Sequence, residues 1–167
     1  MKRIVFFYFF VFFTFYVSAE AYERHEISLL ENWSFYKGHI DNVNINNNIK
    51  WERITIPHTW NKKDGTGGTN RDYYRGKGVY VRTLNIPSSY KDRQLYLRFE
   101  AVSSSAEVFV NGKLVGKHTG AFSAFCFDIT DFIVEGENQL LVKATNEWNE
   151  DIIPLAGDFT VFGGIYR

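Results

Sequence analysis

Four histidines come first, because imidazole is the commonest metal ligand and the acid–base group that works near neutral pH. His25, His39, His58 and His118 stand far apart, and none forms a pair at metal-ligand spacing. No metal is expected. Asp128, Asp131, Glu135 and Glu137 gather around a turn without the pattern of a calcium loop, and turn capping accounts for Asp128 and Asp131. Ser103-Ser104-Ser105 lacks the flanking glycines of a nucleophile elbow. The single cysteine, Cys126, lies between Phe125 and Phe127, which predicts a buried, inert thiol. Cleaving a glycosidic bond needs two carboxyl groups about 5–10 Å apart. Glu147, Glu150, Asp151 and Asp158 supply carboxylates, but nothing in their spacing requires such a pair. Gly65-Thr66-Gly67-Gly68 lacks the Gly-Lys-Ser/Thr ending of a phosphate loop. Binding chemistry is better supplied. Pro57–Arg75 and Asn146–Phe162 mix aromatic rings with planar polar groups, a composition that holds sugars by packing on C–H faces and bonding hydroxyls. Trp60 and Trp148 also read as core residues, since buried aromatics are common.

The elements that must position these loops read as strands. Val79–Ile86 is β-branched and aromatic, setting Tyr80, Arg82, Leu84 and Ile86 on one face, and Pro87 ends it. Leu95, Leu97 and Phe99 alternate with Tyr96, Arg98 and Glu100. Asn111-Gly112 supplies the two positive φ angles of a hairpin turn, placing Phe109 opposite Leu114 and Val108 opposite Val115. Further strands are expected at Phe122–Asp128, Asn138–Thr145 and Phe159–Tyr166, with shorter ones at Trp33–Tyr36 and Trp51–Ile56. Asn42–Lys50 and Asp64–Gly78 read as loops. No segment keeps helical periodicity over three turns, so the chain reads as an all-β sandwich.

The N-terminus is different in kind. Met1-Lys2-Arg3 precedes a 14-residue apolar run, Ile4–Val17, broken only by Thr14, and small residues follow to Ala19 and Ala21. This is the pattern of a secretory signal peptide, and it falls short of the about 20 residues that a spanning helix needs. Residues 1–21 are therefore expected to be removed, and 22–167 to form one domain exported to the periplasm or medium, with no membrane association thereafter. Cleavage after Ala19 leaves 17 basic and 19 acidic residues, a net charge of −2. That balance argues against a nucleic-acid partner. The chain's 167 residues suit one domain and exclude a complete barrel of about 250. Its last residue, Arg167, falls in an apolar, strand-like stretch, as expected of a fragment.

Several pieces in order carry a resemblance. Leu30-Glu31-Asn32-Trp33-Ser34-Phe35, Ile56-Pro57-His58-Thr59-Trp60-Asn61 and Tyr73-Tyr74-Arg75-Gly76 precede Phe99-Glu100-Ala101-Val102. Val108–Gly116, Phe127-Asp128-Ile129-Thr130 and Gly163-Gly164-Ile165-Tyr166-Arg167 follow. Together they resemble the N-terminal sugar-binding domain of glycoside hydrolase family 2, the β-galactosidase, β-glucuronidase and β-mannosidase group. The resemblance implies a jelly-roll β-sandwich similar to galactose-binding modules. It implies an immunoglobulin-like sandwich and a barrel with two catalytic glutamates as further domains of the same enzyme. No catalytic residue and no cofactor is expected in this chain. Its implied partner is a carbohydrate with a terminal β-linked sugar, in an enzyme most like a β-galactosidase. By the same resemblance Asp158, nine residues before Arg167, bonds the sugar. A second position falls at Asp72 beside Tyr73, with Asn70 as its rival. The alternative is a stand-alone, non-catalytic carbohydrate-binding module.

Overall fold

A computed structural model describes residues 23–40, 49–64, 74–152 and 161–166. The apolar leader lies outside the described residues, as do Asn70, Asp72, Tyr73 and Asp158.

Alternation of apolar and polar residues builds the first layer. It is a six-stranded antiparallel sheet in the order β2 (Glu52–Ile54), β1 (Trp33–Lys37), β4 (Lys77–Ile86), β10 (Gly136–Thr145), β7 (Ser105–Val110), β8 (Lys113–Thr119). A three-stranded sheet of β3 (His58–Thr59), β11 (Gly164–Ile165) and β6 (Val102–Ser103), and a pair of β5 (Tyr96–Phe99) with β9 (Phe125–Asp128), make the second. The described residues contain no α-helix, only 3₁₀ turns at Ser88–Tyr90 and Thr130–Phe132. Trp33, Phe35, Tyr80, Val108, Leu140 and Val142 of the large sheet meet Leu97, Phe99, Val102 and Ile165 of the other layer in one core. This is the expected jelly-roll β-sandwich, with each layer hiding one face against the other.

The long central pair β4–β10 keeps one register from Gly136 opposite Ile86 to Thr145 opposite Lys77. Tyr80 and Leu84 face the core as the alternation predicts. Asn111 and Gly112 hold φ of 50° and 78°, and Phe109 pairs with Leu114 as expected. Val108 does not pair with Val115. A bulge shifts the register, so Gly116 stands opposite Val108. A Cβ on Gly116 would lie 2.4 Å from a Phe127 ring carbon, so the shift puts the one residue without a side chain beneath that ring. Asp128 Oδ1 accepts from Thr130 N at 2.9 Å and Thr130 Oγ1 at 2.6 Å, the turn role expected of it, which holds its carboxyl below the ordinary range.

Cys126 is exposed, contrary to the buried thiol expected. Its aromatic neighbours misled the reading. Phe125 and Phe127 pack against the core, and strand alternation then turns Cys126 outward. Trp60 is buried, whereas Trp148 is 47% exposed, so only the first is a core residue.

Candidate functional site

A buried asparagine pair joins the chain at the stems of two segments, residues 65–73 and 153–160. Asn61 ends the segment after β3, and Asn146 follows the last residue of β10; their exposures are 1% and 0%. Asn146 Nδ2 donates to Asn61 Oδ1 (3.2 Å), to Tyr74 O (3.2 Å) and to Val161 O (2.9 Å). Asn146 Oδ1 accepts from Gly76 N at 2.9 Å. Asn61 Nδ2 donates to Asp64 Oδ2 (2.6 Å) and Tyr74 O (3.0 Å), and Gly163 N donates to Asn61 Oδ1 (2.7 Å). Asp64 Oδ2 also accepts from Tyr74 N at 3.1 Å. Buried amides are tolerable only when so bonded, and such a network fixes backbone positions rather than adding much net energy.

The consequence is positional. Asp64 and Tyr74 flank residues 65–73, and Val161 follows residues 153–160. Asn70, Asp72 and Tyr73 belong to the first of these segments and Asp158 to the second. All four lie outside the described residues. What the structure brings together is the pair of stems that carry them. Asn61 and Asn146 are the residues that sequence reading missed. The signal was weak: Asn61 closes the Pro57-His58-Thr59-Trp60-Asn61 string, and Asn146 is one polar residue just past the end of β10.

Packing beneath the stems is close. Trp60 stacks on Phe35 with ring centroids 6.0 Å apart and planes at 8°. A Cβ at Gly163 would lie 1.7 Å from a Trp60 ring carbon, and one at Gly164 2.1 Å from His58 O. The glycines of the Gly163-Gly164-Ile165-Tyr166 string are therefore a packing requirement. His58 Nδ1 and Tyr80 Oη share a hydrogen bond of 2.9 Å. Burial holds His58 below its ordinary value, helped by the positive charge of Lys62 and opposed by Glu52. Burial likewise pushes the Tyr80 hydroxyl far up, so it stays protonated. A broad cleft beside the cluster is lined by Glu52, His58, Trp60, Lys62 and Asp64.

At the outer rim, the Arg75 guanidinium lies 5.0 Å from the centre of the Trp148 ring. Among the described residues no three histidines, cysteines or carboxylates gather as a metal would need.

A two-layer antiparallel β-sandwich whose buried asparagine pair ties the stems of two segments together is the framework of this domain. The profile of the "Glycosyl hydrolases family 2, sugar binding domain" matches residues 52–167. The chain belongs to this family. A β-glucuronidase of Bacteroides fragilis is 43% identical over 146 residues, covering 87% of this chain and 20% of that protein. A β-galactosidase of Thermoanaerobacter pseudethanolicus is 36% identical over 121 residues, covering 70% and 16%. The crystal structure of a Bacteroides uniformis β-glucuronidase matches with a TM-score of 0.74 and 40% identity, over 84% of this chain and 17% of that one. The chain thus spans about a fifth or less of the length of these relatives.

Proposed function

We propose that this domain holds the terminal sugar in an exported β-glycosidase, which hydrolyses O-glycosyl bonds through a catalytic barrel lying outside these residues. One observation carries the reading: the Asn61–Asn146 pair braces the stems of both segments to which the family resemblance assigns sugar contacts. Bracing of this kind suits a site that must hold its polar groups still while a sugar distorts. Asp158 accepts hydrogens from sugar hydroxyls in this reading, and the earlier segment adds a second contact at Asp72 beside Tyr73, with Asn70 as its rival. Both β-galactosides and β-glucuronides fit, since relatives bear both names.

The test is made on the complete protein that the gene encodes. Nitrophenyl β-galactoside and β-glucuronide are assayed with the wild type and with Asp158→Asn. The wild type should hydrolyse one of them. The variant should lose on the order of a hundredfold in kcat/KM, the worth of a charge-assisted hydrogen bond made in the transition state. Undiminished kcat/KM removes Asp158 from the site. Sugar binding without hydrolysis would favour the non-catalytic module.

A further inference from the structure

We propose that Asn111 is a deamidation site guarded by its own side-chain bonds, and that loss of its amide latches the β7–β8 hairpin open. The inference is independent of the sugar-binding reading above.

Asn111-Gly112 is the only Asn-Gly pair in the sequence. Deamidation starts when the backbone nitrogen of the following residue attacks the asparagine Cγ. Glycine leaves that nitrogen unshielded, and nothing lies within 4 Å of a Cβ built on Gly112. Both turn residues are exposed, so water reaches them. In the reaction Gly112 N forms a bond to Asn111 Cγ, the Cγ–Nδ2 bond breaks, and ammonia leaves with the proton that Gly112 N gives up. The succinimide ring so formed takes up one water. Opening at Cγ gives aspartate. Opening at the main-chain carbonyl gives isoaspartate, whose backbone is one methylene longer.

The fold holds the amide away from this path. Asn111 Nδ2, the departing group, donates to Phe132 O at 2.9 Å and to Asn138 Oδ1 at 2.8 Å. Asn111 Oδ1 accepts from Gln139 N at 2.9 Å, and Asn111 N donates to Gln139 O at 2.9 Å. Ring closure must turn the side chain back over its own main chain, which these bonds oppose. The hairpin therefore opens before the amide reacts. The product does not restore the closed form. An ionised carboxylate only accepts hydrogen bonds, and here it would face two acceptors, Phe132 O and Asn138 Oδ1. Asn138, 2% exposed, is not free to turn its amide round in answer. Its Oδ1 also accepts from Val134 N at 2.7 Å, and its Nδ2 donates to Val134 O at 2.7 Å and Gly136 O at 3.0 Å. Isoaspartate instead lengthens the turn and disturbs the pairing of Phe109 with Leu114. Ammonia is lost to solvent, so the change runs one way.

Peptide mass spectrometry on the complete protein tests this by following the amide-to-acid mass gain at Asn111. A synthetic peptide of residues 107–116 in the same buffer supplies the unguarded rate. The protein should react on the order of tenfold or more slowly than the peptide, as expected when only the opened hairpin reacts. Guanidinium should bring the protein to the peptide's rate. The deamidated fraction, separated by ion exchange, should unfold at lower urea than the intact protein. Its Gln139 N–H, bonded to Asn111 Oδ1 in the intact protein, should exchange faster. Asn111→Asp should show both changes without ageing. Equal rates in folded protein and peptide overturn the guard, and no mass gain at Asn111 in the peptide overturns the site. A deamidated fraction with unchanged Gln139 exchange and an unchanged urea midpoint overturns the latch.

Discussion

Asn146 Nδ2 reaches Asn61 Oδ1 across 3.2 Å, although 85 positions separate them in the chain. Neither residue is exposed, so water cannot substitute for a lost bond. Asn146→Ala would strip the partner from Gly76 N, which is buried, and from Val161 O, which is half-buried. The expected loss is about 3 kcal/mol, from roughly two orphaned groups at 1–3 kcal/mol each. Asn146→Asp should cost at least as much, because a carboxylate would then face the acceptors Tyr74 O and Val161 O. Urea unfolding reads both. A loss under about 0.5 kcal/mol, typical of an unremarkable surface change, would mean that the pair does not brace the stems.

Three glycines weigh space against conformation: Gly163 lacks only space, Gly112 only an ordinary φ, and Gly164, with φ of +154°, both. Gly163 and Gly164 are closed in, one by the Trp60 ring and the other by the backbone of β3. Gly163→Ala and Gly164→Ala should each destabilise by about 2–3 kcal/mol, in the range of overpacked cores. Gly112 has φ of +78° and nothing within 4 Å of a built Cβ. Gly112→Ala should therefore cost only the about 1 kcal/mol of a left-handed backbone. Thermal melts of the three variants give the ranking, and equal losses would contradict it.

Local signals carried most of the fold. Alternation found β4 and the inward Tyr80, and Asn111-Gly112 found its hairpin, because each depends on neighbours along the chain. What stayed hidden depends on neighbours across space. The bulge at Val115 answers to Phe127 on the other layer. Asn146 looks like any polar residue after a strand until Asn61, Tyr74 and Val161 are seen around it. Trp60 and Trp148 have the same side chain and similar surroundings in sequence, yet among the described residues Trp60 lies against Gly78 and Gly163 while Trp148 is 47% exposed. Motif order singled out the two segments but said nothing of the clamp at their stems.

Cys126 tests the alternation of β9 directly. Its thiol is exposed, opposite Arg98 in the β5–β9 pair. A thiol reagent should titrate it fully in the native protein, within the time taken for the unfolded chain. Cys126→Ser should leave stability within about 0.5 kcal/mol, as expected where no core contact is removed. Protection of the thiol until denaturant is added would reverse the assignment of the outward face.

His58 makes stability depend on pH with a definite sign. Burial holds its folded value below the ordinary 6.5, so near that pH the unfolded chain takes up a proton more readily than the folded one. Stability then rises with pH wherever the unfolded state binds more protons. Above 6.5 both states leave the ring neutral and the fold has its full stability. As pH falls through 6.5 the unfolded state is favoured increasingly, until His58 in the folded protein also protonates and the loss levels off. Glu52 and Lys62 face the ring with opposite effects, so changing either should move that levelling point in opposite directions. His58→Gln keeps a polar group near Tyr80 and removes the titration. Its midpoint in urea should be flatter than the wild type's between about pH 7.5 and 5.5, a window above the ordinary carboxylate range. Matching slopes in the two proteins would show that His58 titrates alike folded and unfolded, and that burial does not hold it neutral.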